Sequence, residues 1–155
     1  MNFIARCNSI RFLIVIVVFV IAGCSSYSTK ERSAAMELKI LIEEADRFYK
    51  LGLLSDAEGK YRKIIEKYPD YYEAWLKMGN IFIRTDQLDA AVLAYETCTA
   101  QAPEDVRCWN NLALARVKQG VHTLDNGKSK VLVGTQAYMD LDEFQVKLIK
   151  ILSSE

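Results

Sequence analysis

A pattern of small, aromatic and large apolar residues recurs in this chain every 34 residues. Its fullest copy runs from Trp75 through Gly79 to Pro103. Self-similarity at this period is typical of units built from two antiparallel helices, each of which can bury its apolar face only against neighbouring units. Small residues let the helices approach, aromatic residues fill the space beside them, and proline ends the second helix. The chain is therefore expected to be all-α.

Residues 34 positions before and after this fullest copy repeat much of its pattern of aromatic, large apolar, small and proline positions. The second copy has Trp75, Met78, Gly79, Phe82, Ala91, Tyr95 and Pro103; the first has Leu41, Glu44, Ala45, Phe48, Ala57, Tyr61 and Pro69; the third has Trp109, Leu112 and Ala113. On these residues the chain resembles the tetratricopeptide repeat family over residues 38 to about 119. The resemblance implies a short solenoid, a TPR domain over residues 36–155. It would comprise two complete helix-turn-helix repeats (38–71 and 72–105), a partial third repeat (106–127) and a C-terminal capping helix (136–153).

Turn residues and the spacing of apolar residues place the individual helices. Gly52 and the segment Thr85-Asp86-Gln87 suit the turns inside repeats one and two, where helix caps are needed. Four helices are therefore expected at about 36–51, 55–67, 72–85 and 88–101. A fifth begins near Glu104 and continues until Asn126-Gly127 stops it.

The last part of the chain departs from the repeat pattern. Beyond Gly120, the small and aromatic positions hold Asp125 and Ser129, so the third repeat is incomplete. Residues 128–135 are expected to form a loop. A final helix carries an apolar stripe and should cap the open end of the solenoid, as stacked repeats require for solubility. This stripe consists of Tyr138, Leu141, Phe144, Leu148, Ile151 and Leu152.

The N-terminal end has the three parts of an export signal, namely a basic start, a short apolar stretch and a small-residue exit. Arg6 and Arg11 precede the apolar residues 12–22, a run too short to span a bilayer as a helix. The alternative is a single membrane-anchoring helix over residues 10–22, with the cysteine that follows an incidental thiol.

The residues Ile21-Ala22-Gly23-Cys24 resemble the lipobox of bacterial lipoproteins. The resemblance implies that residues 1–23 are a removed signal peptide and that Cys24 carries covalent acyl chains such as palmitate; no other cofactor is expected. Residues 24–35 then form the lipidated N-terminus and a short tether. Ser25, where inner-membrane lipoproteins have aspartate, favours the outer membrane, with the domain facing the periplasm of a Gram-negative cell.

Composition narrows the class of function. Without residues 1–23 the chain has 18 basic and 20 acidic side chains, and this nearly neutral balance gives no electrostatic reason to expect nucleic acid, whose phosphates need a basic face, as a partner. The single histidine, His122, has no serine or cysteine close in sequence, and no zinc-spaced cluster or phosphate-binding glycine loop is present. We therefore expect no enzyme activity, no metal site and no nucleic-acid partner.

Two cysteines, Cys98 and Cys108, lie symmetrically about Pro103 on helices expected to be antiparallel. In an oxidising compartment they could form a disulfide between repeats two and three. Alternatively, both are simply small buried residues, as free cysteine often is.

The family resemblance implies a ligand groove lined by the first helix of each repeat. The matching positions are Asp46, Tyr49 and Lys50, then Asn80, Ile83 and Arg84, then Asn110, Leu114 and Lys118. Lys50, Arg84 and Lys118 recur at a spacing of 34 and would form a basic row. Such residues either bind a partner or only complement the helix dipole at a C-terminal end. The family's carboxylate clamp is not reproduced, because Ile42 and Asp46 stand where it has lysine and asparagine.

The predicted lipid anchor and the helical repeats together predict a non-catalytic, membrane-anchored protein–protein interaction adaptor. The chain is similar to small repeat lipoproteins of type IV and tight-adherence pilus assembly and of secretion systems, including pilotins, which act on an envelope protein such as a secretin. The alternatives are an adaptor that recruits peptidoglycan-modifying enzymes and a structural subunit of an outer-membrane complex. A homodimer also stays open, because fewer than three whole repeats bury only a modest core.

Overall fold

The computed structural model describes the backbone of residues 31–152 and the side chains of residues 31–150. This part of the chain contains helices and turns and no strand. In chain order the helices are α1 (31–50), α2 (Leu54–Lys67), α3 (Tyr72–Arg84), α4 (Leu88–Gln101), α5 (Val106–Lys128) and α6 (Gln136–Leu152). The prediction of an all-α repeat solenoid is confirmed. The predicted lipidation at Cys24 and the first part of the tether lie outside the described residues.

The chain divides between Glu43 and Glu44 into two compact units. Of the first unit, the structure describes residues 31–43, which are helical and mostly exposed, with Lys39 3.9 Å from Glu43. The second unit begins with the end of α1 and contains all the other helices.

Helix α1 already includes residues 31–35, which the sequence assigned to the tether. The prediction of a helix start near residue 36 was therefore wrong by about one turn. The expectation depended on apolar periodicity, which these residues lack. Glu31, Arg32, Ala34 and Ala35 are nevertheless good helix formers, and propensity can extend a helix that is anchored further along the chain.

Successive helices pack against each other in chain order from α2 to α6, and α3 also contacts α5. This is the arrangement of stacked helical pairs, in which first helices of neighbouring repeats lie side by side. Small residues make the close contacts possible. The buried alanines are Ala45, Ala57, Ala74, Ala91, Ala94, Ala102 and Ala115, and the largest fully buried side chains include Tyr61, Ile64, Ile81 and Tyr95.

Repeat two depends on one close approach between α3 and α4. Gly79 faces the ring of Tyr95, and a Cβ atom at Gly79 would overlap the carbon atoms of that ring. Only glycine leaves room for the tyrosine in this packing. The turns use positive φ where the chain must reverse, at Gly52 (φ 75°) and Asp86 (φ 58°).

Helix α5 runs without a break over 23 residues, so the third repeat has no second helix in the repeat register. Helix α6 packs against its second half. A Cβ at Gly120 would lie 3.5 Å from a methyl carbon of Leu148, and one at Gly127 would lie 3.4 Å from a methyl carbon of Leu141. Lys128 Nζ lies 2.9 Å from Asp142 Oδ1. The expected capping helix is present.

One part of the predicted stripe on α6 was wrong. Phe144 is 58% exposed, whereas its neighbour Gln145 is buried. Leu141, Gln145 and Leu148 follow a spacing of four and three residues and face α5, so Phe144 falls beside that face. Gln145 is tolerated there because its Nε2 donates a 2.7 Å hydrogen bond to Asp125 Oδ1.

In the described part of the chain, no helix has both the length and the apolarity that a membrane crossing needs.

Candidate functional site

The nine predicted groove positions lie on α1, α3 and α5, the first helices of the three repeats. Helices α3 and α5 contact each other. Asp46 and Tyr49 at the end of α1 contact side chains of α3. The three helices therefore share one surface, which we call the groove. Within it the residues differ in how firmly their side chains are held.

In repeat one, Asp46 is the centre of a polar contact that joins three helices. Its Oδ1 accepts a hydrogen bond from the hydroxyl of Tyr61 on α2 and lies 3.5 Å from Nζ of Lys77 on α3. Burial, together with the hydrogen bond to Asp46, raises the pKa of the Tyr61 phenol. The hydroxyl therefore stays protonated and keeps donating at any ordinary pH. Asp46 is thus oriented by one neighbour and neutralised by another.

Repeat two has the same contact 34 residues later, with amides in place of charges. Oδ1 of Asn80 accepts hydrogen bonds from the Tyr95 hydroxyl at 2.7 Å and from Nδ2 of Asn111 on α5 at 3.1 Å. Burial raises the pKa of Tyr95 as well. In repeat three the position that corresponds to Asp46 and Asn80 is Leu114, whose side chain can accept no hydrogen bond. The polar contact between repeats therefore occurs twice and then ends.

Tyr49 presents its ring to two cations of α3. Nζ of Lys77 lies 5.4 Å from the ring centroid, and Cζ of Arg84 lies 5.1 Å from it. Contacts at these distances are attractive and restrain the guanidinium without neutralising it. The predicted groove residues Tyr49 and Arg84 are thus brought together, with Arg84 exposed on the surface.

The predicted basic row is not uniform in its surroundings. Lys50, Arg84 and Lys118 are exposed, and none of them forms an ion pair within the described residues. Lys118 nevertheless lines a shallow depression that it shares with Asp86 and Asp125. Lys50 and Arg84 are therefore the two members of the row whose charge neither an ion pair nor a shared depression with acidic residues compensates within the described residues.

Lys77 and Asn111 belong to the groove but were missed among the predicted positions. They supply the donors that tie Asp46 and Asn80 to the following repeat. A signal was present, because Lys77 and Asn111 are 34 residues apart and each precedes a predicted groove position by three residues. The groove positions implied by the family resemblance include Asn80 and Leu114 but not the residues one helical turn before them, Lys77 and Asn111.

The structure joins Cys98 of α4 to Cys108 of α5 in a disulfide, with 5.7 Å between the Cα atoms. Both residues are also fully buried. The same repeat positions at the preceding junction hold Ile64 and Ala74, which are fully buried too. The disulfide therefore occupies a packing contact that the repeat makes without sulfur one unit earlier.

His122 lies on α5 and is exposed, lining a depression with Asp86 and Asp89. No group of three or more histidine, cysteine or acidic side chains in residues 31–150 is placed to hold a metal ion.

The start of α5 provides a pH-dependent contact. Asp105 caps the helix by accepting a 2.9 Å hydrogen bond from the Arg107 N–H, and its carboxylate also pairs with the Arg107 guanidinium. Hydrogen bonds from Arg107 hold the pKa of the Asp105 carboxyl at about 2. Arg107 also lies 3.4 Å from Glu73 on α3, so the contact connects two repeats.

Asp105→Asn is expected to reduce the acid sensitivity of the fold. Since the folded pKa lies below the value of about 4 in an unfolded chain, the charge stabilises the protein above pH ~4 and is lost towards pH ~2. Asparagine can still cap the helix but does not titrate. Between pH 5 and 2.5 the melting temperature, followed by circular dichroism, should fall less in this variant than in the wild type. Equal slopes for Asp105→Asn and wild type would contradict the assignment.

Comparison with known proteins agrees with this architecture. The sequence model of the family "Tetratricopeptide repeat" matches residues 42–105 and 76–124, which together cover more than half of the chain. The chain is also 34% identical over 76 residues to a TPR repeat-containing protein of Schizosaccharomyces pombe. That match covers 49% of this chain but only 9% of the yeast protein. On the family match and the helical pairs described above, the chain belongs to the tetratricopeptide repeat family.

Proposed function

We propose that the protein is a non-catalytic, lipid-anchored adaptor that captures a partner protein in the groove. Tetratricopeptide repeat domains generally mediate protein–protein interactions. The observation that carries the proposal is the unpaired charge of Lys50 and Arg84, with Arg84 supported by Tyr49. A charge that is held in place but not neutralised favours a ligand of opposite sign, because little side-chain order is lost on binding.

The partner segment is expected to carry carboxylates at the end that meets Lys50 and Arg84. Beyond that end the groove offers Ile83 and Leu114 for apolar side chains and Asn110 for a hydrogen bond. Asp46 adds no net repulsion, because Lys77 lies 3.5 Å from it. An extended or helical segment with an acidic end and an apolar remainder fits this order of groups.

The anchor is proposed from the sequence alone. Acyl chains on Cys24 would hold the domain at the outer membrane, facing the periplasm, because two or three chains together give nearly permanent attachment. Tethering raises the effective concentration of the groove for any partner at the same membrane. Because the chain is similar to small repeat lipoproteins of pilus assembly and secretion, we propose that the protein is an assembly factor for a pilus or a secretion system. Its partner would be a secretin or a pilus component.

Cross-linking in whole cells followed by purification of the tagged protein and mass spectrometry tests this proposal. Recovery of a secretin or pilus component supports the assembly role. Recovery of cell-wall hydrolases or synthases would instead assign the protein to the recruitment of peptidoglycan-modifying enzymes. A stable, stoichiometric outer-membrane complex would make it a structural subunit.

Lys50→Glu combined with Arg84→Glu is expected to weaken partner capture about tenfold or more, since each charge-assisted hydrogen bond contributes about 1.5–3 kcal/mol. The helix content should not change, because both residues are exposed. Lys63→Glu with Lys130→Glu makes the same change in charge at two exposed positions outside the groove and is the matched control. Capture that survives the first pair as well as the second would leave the basic row with a role in helix capping only.

Cys24→Ala is expected to abolish lipidation and cleavage. The variant should accumulate as a full-length precursor in the inner membrane, which can be followed by gel mobility and by metabolic labelling with a fatty acid. A variant protein of mature size that still partitions into the detergent phase would refute the lipoprotein proposal.

A further inference from the structure

The first half of α5 presents a face that a second helix covers in the preceding repeat but not in this one. In repeat two, α4 packs on α3 and buries Gly79 against Tyr95. The residue at the position of Gly79 in repeat three is Ala113, which is exposed. Trp109 is 50% exposed and Val106 is 67% exposed. We call Val106, Trp109, Ala113 and the adjacent Leu114 the open face.

The register of α6 explains why this face is open. Gly120 lies opposite Leu148 and Gly127 lies opposite Leu141, so the two helices are antiparallel along the second half of α5. Within the described residues, α6 runs to Leu152, four residues beyond Leu148, so its last described residue lies at about the level of residue 116. In the repeat register the covering aromatic residue would be number 129, but Ser129 stands there in the turn after α5. No second helix of the described residues reaches the open face.

Repeat two shows what kind of helix fits such a face. Helix α4 packs against α3 with a small residue and an aromatic residue, Ala91 and Tyr95, both buried, whereas the buried Cys98 of the same helix is bonded to Cys108 of α5. The fit is small residue against aromatic ring, as at Gly79 and Tyr95. An amphipathic helix with the same spacing would bury Trp109 and Ala113 in the same way, so the open face continues the packing that already exists between α3 and α4.

The chain itself offers no free helix with this chemistry among its described residues. Helix α4 is buried in its own repeat. The exposed aromatic residue of α6 is Phe144, but the residues four before and three after it are Asp140 and Lys147. Those charges would face the apolar ring of Trp109 in a second copy. A partner protein is therefore the better occupant.

Leu114 decides which aromatic residue the partner should carry. In repeats one and two the tyrosine hydroxyl reaches Asp46 or Asn80. Leu114 stands at that position in repeat three, is 41% exposed and can accept no hydrogen bond. A tyrosine placed here would bury its hydroxyl without a partner, whereas phenylalanine would bury only carbon.

We propose that the open face binds an amphipathic helix of a partner protein that carries phenylalanine where α4 carries Tyr95, so that the partner completes the third repeat. The open face shares Leu114 with the groove but does not include the charged residues Lys50 and Arg84. Asn110, which replaces the buried Leu76 of repeat two, is exposed next to the face. A polar residue at this position suits a surface that is hydrated when free and covered only in the complex.

Two synthetic peptides with the sequence of residues 88–101 test the proposal on the full chain in mild detergent. Both carry Cys98→Ala, and one also carries Tyr95→Phe; each has a fluorescent label for anisotropy measurements. The peptide with phenylalanine should bind at least about fivefold more tightly than the peptide with tyrosine. Leu114→Asn in the protein restores the acceptor of repeat two and should reverse that preference.

Ala113→Arg should abolish binding of both peptides, because the long charged side chain fills the site of the aromatic ring. Leu93→Arg, on an exposed position of α4, is the matched control and should bind like the wild type. Binding of neither peptide, or binding that Ala113→Arg leaves unchanged, would overturn the proposal. So would a dimer in sedimentation that Ala113→Arg dissociates, since a second copy would then occupy the face. Circular dichroism of each variant shows that the helices are retained.

Discussion

Replacing Tyr95 with alanine is expected to lower the free energy of unfolding by about 3–5 kcal/mol, the usual range for truncating a buried aromatic residue. Tyr95 is almost fully buried, and its ring fills the space that Gly79 leaves between α3 and α4. Alanine would create a cavity there that the close backbone contact cannot collapse. It would also remove the hydroxyl that donates to Asn80.

The effect should be specific to the buried position on this helix. Leu93→Ala lies on the same helix but removes an exposed side chain, so it should change the stability by less than about 0.5 kcal/mol. Tyr95→Phe keeps the ring and should cost about 1 kcal/mol, because Asn80 still accepts from Asn111. Urea denaturation of the three variants gives the comparison. Similar losses for Tyr95→Ala and Leu93→Ala would show that repeat two does not depend on the ring of Tyr95.

Removing the disulfide while preserving the packing is expected to cost about 2–3 kcal/mol. The bridge closes a loop with a sequence separation of 10 residues, and a loop of this size restrains the unfolded chain by about that amount. The preceding repeat junction provides the matched replacement, because Ile64 and Ala74 occupy the same positions. The double variant Cys98→Ile, Cys108→Ala should therefore stay folded and lose only the covalent contribution.

The double variant Cys98→Ser, Cys108→Ser also removes the disulfide and is compared with the isoleucine–alanine variant. It buries two hydroxyl groups in an apolar junction and should be less stable than the isoleucine–alanine variant by about 1–3 kcal/mol. Reduction of the wild type by dithiothreitol should lower its unfolding midpoint, and both double variants should be insensitive to the reductant. A wild-type midpoint that does not respond to reduction would mean that the cysteines contribute as buried side chains only.

The groove was partly predictable because its positions follow from the repeat. Tyr49, Asn80 and Arg84 are found on the expected helices, and Arg84 lies against Tyr49. The hydrogen bonds that hold Asp46 and Asn80 were not predicted, since each joins residues on different helices. The same limit applies to charge: Lys50, Arg84 and Lys118 look equivalent in the sequence, yet Lys118 shares a depression with Asp86 and Asp125.

The order of residue types is sufficient to predict the helical repeat, because small and aromatic residues 34 positions apart indicate packing between helices that are adjacent in the chain. It determined the helix ends to within about one turn, where glycine, proline and capping residues act locally. The end of the third repeat, in contrast, follows from packing in the folded protein. The alignment of α6 with Gly120 and Gly127, the burial of Gln145 and the exposure of Phe144 and Trp109 depend on contacts between distant segments. An amphipathic pattern specifies that a helix packs, whereas its register is set by the shape of the surface it meets.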